Sequence, residues 1–203
     1  MICLAVRLNE RLVCIAGHPR AELLSAIVGG GKGTQWDDPV AFHVACLYTS
    51  PTGEPVHHYL IDRTILANED RLTFSLVQSD LPTPIPHEPS AISSGESALQ
   101  EWEDVALKTN PPALMPSAGP REVQMQLRLN DAEPVGLSIP VDQEHALCSV
   151  TWIKRRPDRC EVHARTFSGA EPSLEADECG TDWLRNILEV GDRFEVSMSA
   201  LGR

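Results

Sequence analysis

The 203-residue sequence is poor in the features that mark common chemistries. It has no C-x-x-C pair, so its six cysteines (Cys3, Cys14, Cys46, Cys148, Cys160 and Cys179) form neither a zinc ribbon nor a thioredoxin-type motif. Most of them sit in apolar or alternating runs, where cysteine behaves as a small buried hydrophobe. G-x-S-x-G, H-E-x-x-H and a dinucleotide fingerprint are all missing, which removes the usual hydrolase, metalloprotease and Rossmann readings. No run approaches the roughly 18 apolar residues of a membrane span, and no charged region followed by a long apolar run opens the chain; a soluble, cytoplasmic protein without a membrane partner is expected. Positive charge is scarce too. Seventeen Lys and Arg face 29 Asp and Glu, and the net charge of -12 argues against a general nucleic-acid binder. The one dense basic run, Lys154-Arg155-Arg156, reads as a solvated face.

What is present begins with a glycine run, "AIVGGGKGTQW" from Ala26 to Trp36. A phosphate-binding P-loop needs G-x-x-x-x-G-K-[ST], so that loop amides, lysine and hydroxyl converge on one anion. Here Gly33 follows Lys32 where Ser or Thr is required, and Ala26 occupies the first glycine position. A surface loop between ordered segments is the expectation, and no nucleotide or other cofactor is assigned.

Between Leu81 and Pro120 half of the sixteen prolines are gathered, a density that suppresses regular structure. Its interior, "SSGESALQEWEDVALKT", predicts a short helix: Ser93 and Glu96 have capping-box spacing, and Leu99, Trp102, Val105 and Ala106 line one face.

The segments on either side of this linker can be laid over one another, about 122 residues apart. "ICLAVRLNE" and "VQMQLRLND" share Arg-Leu-Asn and one alternation, in which Ile2, Leu4, Val6 and Leu8 match Val123, Met125, Leu127 and Leu129. That is a strand with one buried face, twice. "ELLSAIV" meets "ALCSVTW", bringing Ser25 beside Ser149, and "FHVACL" meets "VHARTF", bringing His43 beside His163. "ILANEDRLTFSLV" meets "ILEVGDRFEVSMS", each ending in an Asp-Arg turn and an alternating strand. The glycine run falls where the first copy has extra residues. Each copy reads as a strand, a short connection, a strand, a mixed segment, another strand, a polar loop and a final strand. If the mixed segment (residues 21–28 and 145–153) is helical, the order is that of a β-grasp; if it is a strand, each copy is a small all-β unit. The helical reading is preferred, giving an α+β chain.

The ending "NILEVGDRFEVSMSALGR" resembles the close of a ubiquitin-like domain, in which a turn, a polar loop and an alternating strand run out into a short tail finishing at glycine. With two copies and a linker, the chain is similar to the bacterial tandem ubiquitin-like modifiers of antiphage conjugation operons, and to the vertebrate interferon-induced two-domain modifier. The resemblance implies ubiquitin-like domains at 1–80 and 121–203, a Pro-rich linker with a short helix at 81–120, and no enzyme activity in the chain itself. It implies that a conjugation tail of Leu201, Gly202 and Arg203 is adenylated by a ubiquitin-activating-like enzyme and passed through a conjugating-like enzyme to a target protein. A phage structural protein is a candidate target, and a deconjugating metalloprotease is a further partner. A glycine end suits this chemistry because, lacking a Cβ, it threads a narrow channel and leaves its carbonyl open. Gly202 is single and Arg203 follows it, so either residue is left as the attachment end.

Other constellations are weaker. His57 and His58, beside Glu54 and Asp62, could ligate a metal, but the corresponding loop of the second copy, "EPSLEADECGTD", carries no histidine, and no metal site is assigned. The alternative function is a non-covalent two-domain adaptor, in which two β-rich units hold a partner and the tail has no covalent fate.

Overall fold

A computed structural model describes residues 1–31, 40–83, 90–91, 124–140, 142–168 and 180–198. The first repeat contributes β1 (Ile2–Leu8), β2 (Arg11–Ala16), β3 (Ala21–Gly31), β4 (Ala41–Thr49), β5 (Pro55–Ile65) and β6 (Arg71–Gln78). A two-residue strand, β7 (Ser90–Ala91), follows. The second repeat contributes β8 (Gln124–Leu129), β9 (Val135–Ser138), β10 (His145–Ile153), β11 (Arg159–Phe167), β12 (Gly180–Glu189) and β13 (Arg193–Met198).

No helix occurs among the described residues, and the expected α+β class with β-grasp domains is corrected to all-β. The mixed segments are the strands β3 and β10. Along β10 the burial alternates strictly, with Ala146, Cys148, Val150 and Trp152 turned to the core, which is the period of a strand and not of a helix. β3 lies in the interior of its sheet and is buried on both faces, so its apolar run carries neither period and its sequence is ambiguous. The alternative of two small all-β units fits. The helix expected over residues 93–106 lies outside the described residues, as does the tail Leu201, Gly202 and Arg203.

The strands form two antiparallel sheets, one six-stranded in the order β2-β1-β6-β13-β8-β9 and one seven-stranded in the order β12-β11-β10-β3-β4-β5-β7. Each repeat thus gives a hairpin and its last strand to the first sheet, and a three-stranded meander to the second. The repeats meet twice, through β6 with β13 and through β3 with β10. In the second pairing Ala26 stands opposite Val150, and in the first Thr73 stands opposite Glu195. Each of these is a residue facing its own counterpart in the other repeat. A pseudo-twofold axis therefore runs through both sheets, and the contact is isologous, like that of a symmetric dimer within one chain.

The main core spans both repeats, and a smaller cluster of Leu23, Ile27 and Leu47 packs apart from it with Leu147 and Ile153. Leu4, Val6 and Phe74 of the first repeat pack in the same cluster as Leu127, Phe194 and Val162 of the second. Phe74 and Phe194 are cross-strand partners stacked at 6.3 Å between centroids. Such a pair contributes about 1 kcal/mol beyond the area it buries.

The turn chemistry also repeats. Asn9 follows β1 with φ of 50°, and its side chain donates to Asp70 Oδ1 at 2.6 Å while accepting from the Arg71 amide at 2.9 Å. Asn130, with φ of 51°, donates to Asp192 Oδ1 at 2.9 Å and accepts from the Arg193 amide at 2.8 Å. Asp70 and Asp192 each use their second oxygen to close their own turn, accepting from the amides of Ala67 and Glu189. The shared Arg-Leu-Asn and Asp-Arg steps are thus two halves of one clasp, and asparagine suits it because it tolerates the left-handed region.

Candidate interaction surface

The glycine run is the first site to be reassigned. Gly29, Gly30 and Gly31 are not loop residues; they complete β3 and pair with Leu147, Ala146 and His145 of the other repeat. A Cβ on Gly31 would lie 2.9 Å from His145 Nδ1 and 3.1 Å from the Glu144 carbonyl oxygen. Close approach of a neighbouring strand accounts for this glycine without a phosphate. Lys32 lies outside the described residues.

One group of titratable side chains brings His43 on β4 together with His57 and Tyr59 on β5. The Tyr59 ring meets both imidazoles edge-on, at 5.6 Å from His43 and 4.7 Å from His57. Burial pushes the His43 pKa down to about 4; His57 reinforces the shift and Asp62 opposes it. His57 and His58 are lowered by burial as well. These imidazoles are therefore neutral at neutral pH. His57 and His58 are adjacent on a strand and so project to opposite faces. Among the described residues no three His, Cys, Asp or Glu side chains are grouped to hold a metal ion.

The described cysteines are all buried and unpaired. Burial pushes the thiols of Cys46, Cys148 and Cys160 up to about 12, which keeps them protonated and makes them core residues, not nucleophiles.

His43 and His163 are not equivalent in the fold. His163 stands opposite Ser149, whose counterpart Ser25 stands opposite Ala45; His43 stands two residues earlier, opposite Ile27. A two-residue slip leaves a strand residue on the same face, which is why the alignment concealed it. His163 instead forms a 2.8 Å contact with Asp182 of β12.

The sheet edges distinguish the two repeats. On β5, Val56 and His57 pair with Ala91 and Ser90 of β7, so the chain has already added one strand to its own sheet there. The equivalent edge, β12, ends the seven-stranded sheet at the other side and has no outer partner among the described residues. In the other sheet the edge strand β2 is blocked at Ile15, whose carbonyl accepts from the Thr83 amide at 2.9 Å and whose amide donates to Thr83 Oγ1 at 2.8 Å. Exposed aliphatic side chains recur at one repeat position on the last meander strand of each repeat: Ile65 on β5 is 55% exposed and Ile187 on β12 is 41% exposed. The turn that the ubiquitin-like resemblance implies at Asn186 and Ile187 is instead part of β12. The signal that could have located them was the shared Ile-Leu step, with an outward isoleucine beside a buried leucine, Leu66 or Leu188.

No protein-family model matches the chain, and neither a curated protein nor a solved structure is similar to it. No described helix is long and apolar enough to cross a membrane.

Proposed function

We propose that this chain is a non-covalent interaction protein: a pseudo-twofold β-sandwich that holds a partner polypeptide and performs no covalent chemistry of its own. The observation that carries this reading is the β5–β7 pairing, in which the seven-stranded sheet accepts an added strand from the segment that joins the repeats. The shared core supports it further. Both sheets run through both repeats, so the two edges are held at a set separation by packed strands and not by a linker. The alternative, a conjugated modifier, drew on a β-grasp order that the strands β3 and β10 replace, and on a tail outside the described residues.

The test is co-expression of the full chain, and of a form lacking Gly202 and Arg203, with the products of genes flanking its own. A complex that dissociates in SDS and survives the deletion is the expected result. An SDS-resistant adduct that the deletion abolishes would hand the function to the modifier reading.

A further inference from the structure

We infer that the segment joining the repeats, residues 92–123, docks its apolar side chains on the outer face of the seven-stranded sheet over β3, β4 and β5, with Trp102 as the anchor. This assignment is independent of the interaction reading above, because it concerns how the chain covers its own sheet.

The face is marked by the smaller apolar cluster. Leu23 and Ile27 of β3 and Leu47 of β4 pack together with Leu147 and Ile153 of β10, apart from the core between the sheets. Along their strands they alternate with Leu24, Ala26 and Cys46, which belong to that core, so they point to the other side of the sheet. No described strand lies across that side. An uncovered face of an antiparallel sheet is ordinarily solvated and polar. Here Leu23 is 1% exposed and Leu47 4% exposed, and His57 beside them is buried.

The repeat supplies an internal control. Leu147, Ser149 and Thr151 of β10 are the counterparts of Leu23, Ser25 and Ile27, yet they are only half-buried. Equivalent positions on adjacent strands of one sheet therefore differ in cover, and the cause lies outside the repeated strands. The joining segment begins beside this cluster. Ser90, His57, Leu47, Leu23 and Ile153 form one cross-strand row from β7 to β10. The chain leaves β7 at Ala91, next to Val56, and has to reach β8 of the other repeat by Gln124. With about 4.8 Å between strands, β3 lies about 14 Å from β7, and the chain from Ala91 to Trp102 spans up to roughly 36 Å. Residues 92–123 lie outside the described residues; their sequence gathers Leu99, Trp102, Val105 and Leu107, and tryptophan brings the largest apolar area of these.

The test uses the full chain with p-benzoylphenylalanine in place of Trp102 and, in a second preparation, in place of Trp36. Irradiation and peptide mapping should join position 102 to β3 or β4 within one chain, at Leu23, Ile27 or Leu47. A cross-link between two chains at these residues would overturn the assignment in favour of a second copy. Capture of β3 and β4 from position 36 alone would give the face to the connection between those strands, and capture from neither position would leave the joining segment undocked. Trypsin cleavage after Lys108 reads the same contact. Trp102→Asp should speed it about tenfold or more, because cleavage follows the open fraction, and Trp102→Phe should keep it near the native rate. Equal rates in the native chain and Trp102→Asp would overturn the docking. Such a failure leaves the interaction reading standing if the SDS-sensitive complex survives loss of Gly202 and Arg203, and a tail-dependent covalent adduct removes that reading without touching this one.

Discussion

Thr73 on β6 stands directly opposite Glu195 on β13, and the two occupy the same position of the internal repeat. The second crossing point of the pseudo-twofold axis, Ala26 opposite Val150, lies in the other sheet. Because the axis pierces both layers, neither repeat can separate without breaking two strand pairings and opening the core. Glu195 is buried and lies 3.5 Å from the guanidinium of Arg71, so the axis pair carries one partly compensated charge.

The two asparagine clasps should behave as independent copies of one device. Asn9→Ala and Asn130→Ala each remove one exposed side-chain bridge between strands and leave an amide to water, at a cost of about 1 kcal/mol. The clasps share no hydrogen-bond partner, so the double variant should lose the sum to within about 0.5 kcal/mol. Urea midpoints at constant slope measure this, and a strongly sub-additive double variant would mean that one clasp fails to form.

Glu69 and Gly191 are also equivalent, and both have positive φ, at 72° and 99°. Glutamate carries the left-handed penalty that glycine avoids. Glu69→Gly should therefore stabilise by about 0.5 kcal/mol after the entropy of the unfolded chain is counted, while Gly191→Ala should destabilise by about 1 kcal/mol. Opposite signs in thermal melts are the expected result; equal signs would show that the two turns differ in use.

Ser25 is fully buried and its hydroxyl has no hydrogen-bond partner. An unpaired buried polar atom costs stability that alanine does not incur. Ser25→Ala is expected to raise stability by about 1 kcal/mol and Ser149→Ala, at the half-buried counterpart, to change it by less. A lower melting temperature for Ser25→Ala would refute the first expectation.

Acid should weaken the fold before the carboxylates protonate. The His43 pKa falls to about 4 in the folded chain from 6.5, so the unfolded chain binds more protons between those values. The stabilising contribution is complete above pH 6.5 and is lost as pH falls toward 4, amounting to roughly 3 kcal/mol. His57, His58, His18 and His145 are displaced in the same direction and add to the slope. His43→Gln should flatten stability against pH across this window, and a slope unchanged from the native chain would exclude His43 as its source.

Gly17 shows how a local residue choice answers to a distant neighbour. A Cβ there would come within 2.5 Å of the Cys3 sulfur. Gly17→Ala should cost about 1–3 kcal/mol by overpacking. Cys3→Ala in the same chain should recover part of that loss, a coupling that a double-mutant cycle reads directly.

The period-2 strands were legible because alternation is a local property: β1, β8, β6 and β13 could be marked from Leu4, Val6, Met125, Leu127, Phe74 and Val196 alone. β3 was not, since a strand buried on both faces shows an unbroken apolar run that a buried helix also shows. Of the candidate surface only the recurring Ile65 and Ile187 were visible beforehand, and nothing in their neighbours along the chain marked them as lying at a sheet edge.

By itself the sequence determined the repeat and the faces of the alternating strands, which depend on spacing within short segments; the Asn–Asp clasps join residues some 60 positions apart and needed the strand pairing. Only the tertiary structure decided that the repeats share both sheets, that Gly31 is needed by His145, and that β7 adds to the edge of β5. Those outcomes depend on which distant strands pair and in what register. Backbone hydrogen bonds between strands are the same whatever their side chains, so the choice falls to packing across the whole molecule.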